Sequence, residues 1–150
     1  MTKTVWLVPV LALLTLQPVA AAERQANPFS AAALVQPPRE GWPTNGGNIL
    51  NQRYSPLTLI DRQNVAQLKG VWRTHLNGSG IGPQYSGSAQ PIVHDGRAYI
   101  ITGANDVFAL DVASGAILWT YAARLDPAIS VICCGWTNRG VGLGEGKLFF

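Results

Sequence analysis

From residue 91 onward the apolar residues come in short runs, each closed by a turn. Pro91-Ile92-Val93 leads into His94-Asp95-Gly96, and Arg97-Ala98-Tyr99-Ile100-Ile101-Thr102 follows. Asp106-Val107-Phe108-Ala109-Leu110-Asp111 is next, and Ser114-Gly115 separates it from Ala116-Ile117-Leu118-Trp119-Thr120-Tyr121. Runs rich in β-branched and aromatic residues, at about 8–12-residue spacing, predict short strands and an all-β sandwich, barrel or propeller. Upstream, residues 70–76 read as a further strand and Asn45-Gly46-Gly47-Asn48 as a turn. Only residues 61–68 read as helix; Asp61 is placed to cap it, and it spans two turns at most.

Ahead of this pattern lies a segment of another kind. Lys3 precedes an uncharged apolar run over residues 5–16, Gln17-Pro18 breaks it, and Val19-Ala20-Ala21-Ala22 follows. This is the order of a secretory signal peptide, residues 1–22, with cleavage before Glu23. The run is short for a membrane span, which needs about 20 residues, and Pro9 and Pro18 weaken it further. A retained anchor is the alternative. The mature chain is then expected in an exported, oxidising compartment, where disulfides persist. Residues 23–41 lack a clean period and read as a leading arm, partly ordered at best.

A repeat decides among the β architectures. Gly70-Val71-Trp72 precedes Ile117-Leu118-Trp119 by 47 positions, and Asp95-Gly96-Arg97-Ala98-Tyr99-Ile100 precedes Glu145-Gly146-Lys147-Leu148-Phe149-Phe150 by 50. Two features recurring in one order at about 40–50 residues mark propeller blades of four strands; chance likeness between hairpins is the plainer alternative. A single blade cannot bury both faces, so blades must stack around a closed ring. Residues 42–150 hold only the first two or so of them and end on an apolar half-strand, an open edge that invites aggregation. The expectation is therefore an N-terminal piece of a longer propeller, inactive by itself.

Composition narrows the partners. With 47% apolar and 13% charged residues, 16 Gly and 10 Pro, the chain is neither a disordered charged tail nor a coiled coil. The net charge of +3 includes Lys3 and is spread thinly, with no Lys/Arg cluster, so no nucleic-acid partner is expected. His75 and His94 are isolated and form no metal spacing, and His94, in a turn, is expected to be exposed. Asp106 and Asp111 flank an apolar run and read as structural. Residues 140–146 have the spacing G-x-G-x-G-x-G without a following Lys-Ser/Thr, so they read as a turn before a strand rather than a phosphate loop. Asn77-Gly78-Ser79 fits a glycosylation sequon and more simply makes a turn. No Cys-x-x-Cys-His occurs, so these residues offer no c-type haem attachment.

Three segments carry a family resemblance. Ala109-Leu110-Asp111-Val112-Ala113-Ser114-Gly115-Ala116-Ile117-Leu118-Trp119 resembles the tryptophan-docking motif of quinoprotein dehydrogenases, in which Trp119 would pack between blades. Trp42 through Arg53-Tyr54-Ser55-Pro56-Leu57 resembles their N-terminal lead-in. Most specific is Cys133-Cys134-Gly135-Trp136-Thr137-Asn138-Arg139-Gly140-Val141, similar to the cofactor-binding segment of methanol and ethanol dehydrogenases that use pyrroloquinoline quinone (PQQ). The docking motif alone is weak, since non-catalytic propellers share it.

The resemblance implies an eight-bladed propeller, a periplasmic location, and oxidation of primary alcohols to aldehydes with PQQ and calcium. A base would accept the alcohol proton while hydride moves to a quinone carbonyl polarised by calcium. Electrons would pass to a cytochrome c, a quinone acceptor or a haem c domain. It assigns PQQ contacts to Cys133, Cys134, Arg139 and Ser88, and expects the calcium ligands and the catalytic base beyond residue 150. A Cys133–Cys134 disulfide would close a tight ring, because adjacent Cα atoms lie about 3.8 Å apart and disulfides ordinarily span about 4.4–6.8 Å. Such a ring offers a flat surface to a planar quinone; two buried thiols are the alternative. Arg139 offers a forked cation to one quinone carboxylate, the alternative being a surface arginine, and Trp136 lies between the two and could shape the pocket. Ser88 stands where the family usually has a glutamate, so it can donate or accept a hydrogen bond without holding the same charge. The rival class is a non-catalytic propeller scaffold of outer-membrane assembly, which has no use for the cysteine pair followed by Asn-Arg-Gly; a decayed gene product is a third.

Overall fold

A computed structural model describes residues 30–78, 88–126, 128–129 and 136–150. Four strands form one antiparallel meander in the order β1 (Ile92–His94), β2 (Arg97–Ile101), β3 (Val107–Asp111) and β4 (Ile117–Tyr121). A second hairpin pairs β5 (Gly142–Gly144) with β6 (Lys147–Phe149). Each of the four runs read between residues 91 and 121 is therefore a strand, with ends within a residue or two.

The two sheets repeat one another at 50 residues. Ile92 pairs with Tyr99 in the first hairpin and Gly142 with Phe149 in the second; His94 pairs with Arg97, and Gly144 with Lys147. Both hairpins turn on two residues of positive φ, Asp95 (49°) with Gly96 (70°) and Glu145 (49°) with Gly146 (69°). Two successive positive φ values define the turn whose twist matches that of the flanking strands. Residues 142–144, expected as part of a turn, are a strand: the repeat outweighs the low β-propensity of glycine, because residues 147–149 supply a pairing partner.

The core lies on β3. Val107, Phe108, Ala109 and Leu110 are all buried, together with Ile92, Ala98 and Ile101 from β1 and β2. A run buried on both faces explains why β3 is continuously apolar instead of alternating. On the other edge of β1, Trp42 pairs antiparallel with Val93, exchanging N–H···O bonds of 2.7 and 2.9 Å. β4 is the opposite case, with all five residues exposed, among them Ile117, Leu118 and Trp119.

Two further expectations change. Residues 70–76 are not a strand; Trp72 Nε1 instead donates to Val112 O at 2.8 Å, and the Thr74 hydroxyl bonds to Gly115 O. The segment finds no strand to pair with among the described residues and is held by side chains. Residues 61–68 contain a single 3-10 turn, Val65–Gln67, whose N-cap is Asn64 with no side-chain cap bond; Asp61 instead closes the turn before it, its Oδ1 accepting from the N–H of Gln63 and of Asn64. In the arm, Ser30 caps one helical turn, α1 (Ala31–Leu34). The expected signal peptide lies outside the described residues.

Candidate functional site

The site is assembled where the chain returns to the start of β1. Gln90, two residues before Ile92, forms an isolated parallel bridge with Gly140. That bridge sets the segment carrying Ser88 beside the segment carrying Asn138 and Arg139. Ser88 and Arg139 are exposed, while Trp136 and Asn138 are half-buried. Two of the four residues singled out as cofactor contacts thus lie on bridged segments. The other two, Cys133 and Cys134, lie outside the described residues.

Asn138 organises the local backbone. Its Oδ1 accepts from the Gly140 N–H at 2.9 Å, a turn closed over Arg139. Its Nδ2 donates to Asn105 Oδ1 at 2.8 Å, across 33 positions of sequence. Asn105 sits in the β2–β3 turn with φ at 61°, and its N–H donates to Thr102 O at 3.0 Å. Thr102 is buried, and its own N–H donates to Asp106 O. Asp106 Oδ1 accepts from the Ala123 N–H at 2.9 Å, tying that turn to the exit from β4. An open recess of about 200 Å³, lined in part by Ala104, Asp106 and Arg124, adjoins the turn.

Asn105 went unread in the sequence. The usable signal was the Asn-Asp pair between two apolar runs, since asparagine is among the few residues that enter the left-handed region readily. Asp106 and Asp111 are structural, as expected. Asp111 Oδ1 accepts from the hydroxyl of Ser114 at 2.6 Å and from its N–H at 2.8 Å. The hydroxyl bond chiefly, with the backbone N–H groups of Ser114 and Ala113, holds the Asp111 carboxyl below its usual value. His94, expected to be exposed, is half-buried as the last residue of β1. A larger cleft, about 450 Å³, lies between the arm and residues 93–96. It is at the far end of β1 from Gln90 and none of the candidate contacts lines it.

The docking geometry is present between repeats. The Trp72 ring covers the turn at Gly115, where an added Cβ would lie 2.4 Å from a ring carbon. Trp72 is the counterpart of Trp119 one repeat earlier. Trp119, itself 43% exposed, touches Tyr99 at 6.1 Å between ring centroids.

The family model for the PQQ glucose/ethanol/alcohol dehydrogenase β-propeller domain matches residues 42–147. The chain belongs to this family. The quinoprotein alcohol dehydrogenase PedH of Pseudomonas putida is 41% identical over 107 residues, 71% of this chain and 17% of the relative. The quinohemoprotein alcohol dehydrogenase ADH-IIG of the same species is 35% identical over 145 residues, 95% of this chain and 19% of the relative. The crystal structure of quinohemoprotein alcohol dehydrogenase from Comamonas testosteroni superposes with a TM-score of 0.66 at 34% identity, covering 78% of this chain and 17% of that one. A europium-containing methanol dehydrogenase superposes at 0.63 with 30% identity, covering 78% and 20%. The chain thus spans about a fifth or less of these quinoproteins, and its four-stranded sheet is one propeller blade.

The donor set suits PQQ. An exposed guanidinium (Arg139) and an exposed hydroxyl (Ser88) beside one backbone bridge offer a charge partner and a hydrogen bond to a flat tricarboxylate.

Proposed function

We propose that the full-length protein is a periplasmic, PQQ-dependent alcohol dehydrogenase that oxidises primary alcohols to aldehydes. It passes electrons to a cytochrome c, a quinone acceptor or a haem c domain of its own. The cofactor, when bound, supplies the two-electron oxidation. This chain's residues hold it: the Arg139 guanidinium pairs with a quinone carboxylate, the Ser88 hydroxyl adds a hydrogen bond, and a Cys133–Cys134 disulfide presents a flat face. Calcium belongs to the same reading, with its ligands and the catalytic base outside residues 1–150. Residues 1–22 direct export and are removed.

The observation that carries the reading is the family match, whose span over residues 42–147 includes the positions of all four proposed contacts. It also favours an enzyme over a non-catalytic propeller scaffold. The test is to titrate full-length apo-protein with PQQ in the presence of calcium, then measure dye-linked oxidation of ethanol and 1-butanol. Europium replaces calcium in a parallel series, because one structural neighbour contains it. Saturable PQQ binding with alcohol-dependent dye reduction supports the assignment. A protein that binds no PQQ with either ion is not this enzyme.

A further inference from the structure

The residue before Arg139 is tied to a turn that the cofactor reading does not use. Arg139 is flanked by Asn138 and Gly140, and the Asn138 side chain bonds forward to the Gly140 N–H and sideways to Asn105. One amide thus fixes the backbone on both sides of the guanidinium. Its anchor, Asn105, is held in the left-handed region at φ 61°, within a turn closed by hydrogen bonds between Thr102 and Asp106. A guanidinium meets a flat carboxylate at lower cost when the backbone that carries it is already fixed, because that segment need not be ordered on binding. A left-handed asparagine costs some backbone strain, and strain is retained where the surroundings use it.

We propose that Asn105 is a positioning residue for the quinone: through Asn138 it sets the backbone from which Arg139 reaches the cofactor carboxylate. The inference rests on the PQQ reading of Arg139. Asn105 itself touches neither cofactor nor substrate; it acts through another side chain.

The experiment is a double-mutant cycle on the full-length protein, using Asn105→Gly, Arg139→Ala and the double variant. Glycine accepts φ 61° without a steric penalty, so the substitution removes the acceptor and leaves the turn conformation available. Each apo-protein is titrated with PQQ at constant calcium by following quinone absorbance, and its thermal unfolding midpoint is recorded. Asn105→Gly is expected to weaken PQQ binding roughly two- to tenfold, the span of one lost net hydrogen bond, with little change in apo unfolding. In the Arg139→Ala background the same substitution is expected to cost nothing further, because the group it positions is gone. Wild-type affinity in Asn105→Gly, beside a weakened Arg139→Ala, overturns the positioning role and leaves the PQQ site standing. An undiminished loss in the Arg139→Ala background also overturns it, since Asn105 would then act by another route. A large fall in apo stability assigns Asn105 a structural role instead. Wild-type affinity in Arg139→Ala removes the cofactor reading of that residue and this inference with it.

Discussion

The Trp72 ring covers the turn at Gly115, and its indole N–H donates to Val112 O at 2.8 Å. A ring from one repeat therefore closes the β3–β4 turn of the next, 40 residues along the chain. The contact works only because position 115 has no side chain and a φ of 73°.

Gly115→Ala should be among the most damaging small substitutions in this blade. The methyl group would enter the Trp72 ring, and alanine disfavours the left-handed backbone. Overpacking costs about 1–3 kcal/mol and the backbone about 1–2, so a loss of about 2–5 kcal/mol is expected. Urea unfolding of the full-length protein measures it. Trp72→Phe keeps an aromatic ring over the turn and loses only the indole N–H, so it should cost about 0.5–1.5 kcal/mol. If the alanine variant is as stable as wild type, the ring does not cover the turn.

The second hairpin turn invites an improvement. Glu145 occupies the position of Asp95 one repeat earlier and shares its φ of 49°. Glutamate is poorly suited to the left-handed region, whereas asparagine bonds its own backbone there and is favoured in two-residue hairpin turns. Glu145→Asn should therefore stabilise the full-length protein by roughly 0.5–1 kcal/mol, read as a raised unfolding midpoint. A lowered midpoint would mean that Glu145 makes a contact worth more than the strain.

The blade was legible because each of its strands is bounded by its own turn chemistry, and the propeller because residues 70–72 recur at 117–119 and residues 95–100 at 145–150. Residues 70–76 misled the reading for a physical reason: apolar alternation describes a strand face but says nothing of an edge partner, and Trp72 and Thr74 are held by side-chain bonds instead. Residues 142–144 failed in the opposite sense, since glycine's weak propensity concealed a strand that the 50-residue repeat demands. At the candidate site, the Asn138-Arg139-Gly140 motif stood out because it belongs to one contiguous segment that resembles the family's cofactor-binding segment. Asn105 did not, because its partner lies 33 positions away and neither residue carries charge.

The turn after β3 should also report on pH. The Asp111 carboxyl accepts two bonds from Ser114 and is held below its ordinary value of 3.8. A carboxylate whose folded value is depressed contributes stability that is fully present above the unfolded value. That contribution is lost as pH falls from about 3.8 through the lower, folded value. Asp111→Asn keeps an acceptor oxygen without the charge. It should be less stable than wild type at pH 7, and the gap should close as the pH drops below 3.8. A gap that stays constant across that window would mean the Asp111 charge contributes nothing to the turn.

The sharpest test of the cofactor contacts is an ordering. Arg139 is exposed on this part of the chain, and in the proposed enzyme the remaining blades enclose it against the quinone. Removing one partner of an enclosed charge pair costs about 2–5 kcal/mol, whereas an exposed pair contributes about 0–1. Ser88 offers one neutral hydrogen bond, about 0.5–1.5 kcal/mol net. In an enclosed site Arg139→Ala must therefore weaken PQQ binding well beyond Ser88→Ala, and in an open site the two should be alike. Ser88→Glu adds the side chain that the family usually carries there and should bind PQQ as well as wild type or more tightly, provided that the quinone meets this position with a donor or a cation. Titration of the three apo-variants at constant calcium gives the order directly. Equal affinities for Arg139→Ala and Ser88→Ala would place the guanidinium in solvent and leave Cys133 and Cys134 as the only strong contacts this chain offers the cofactor.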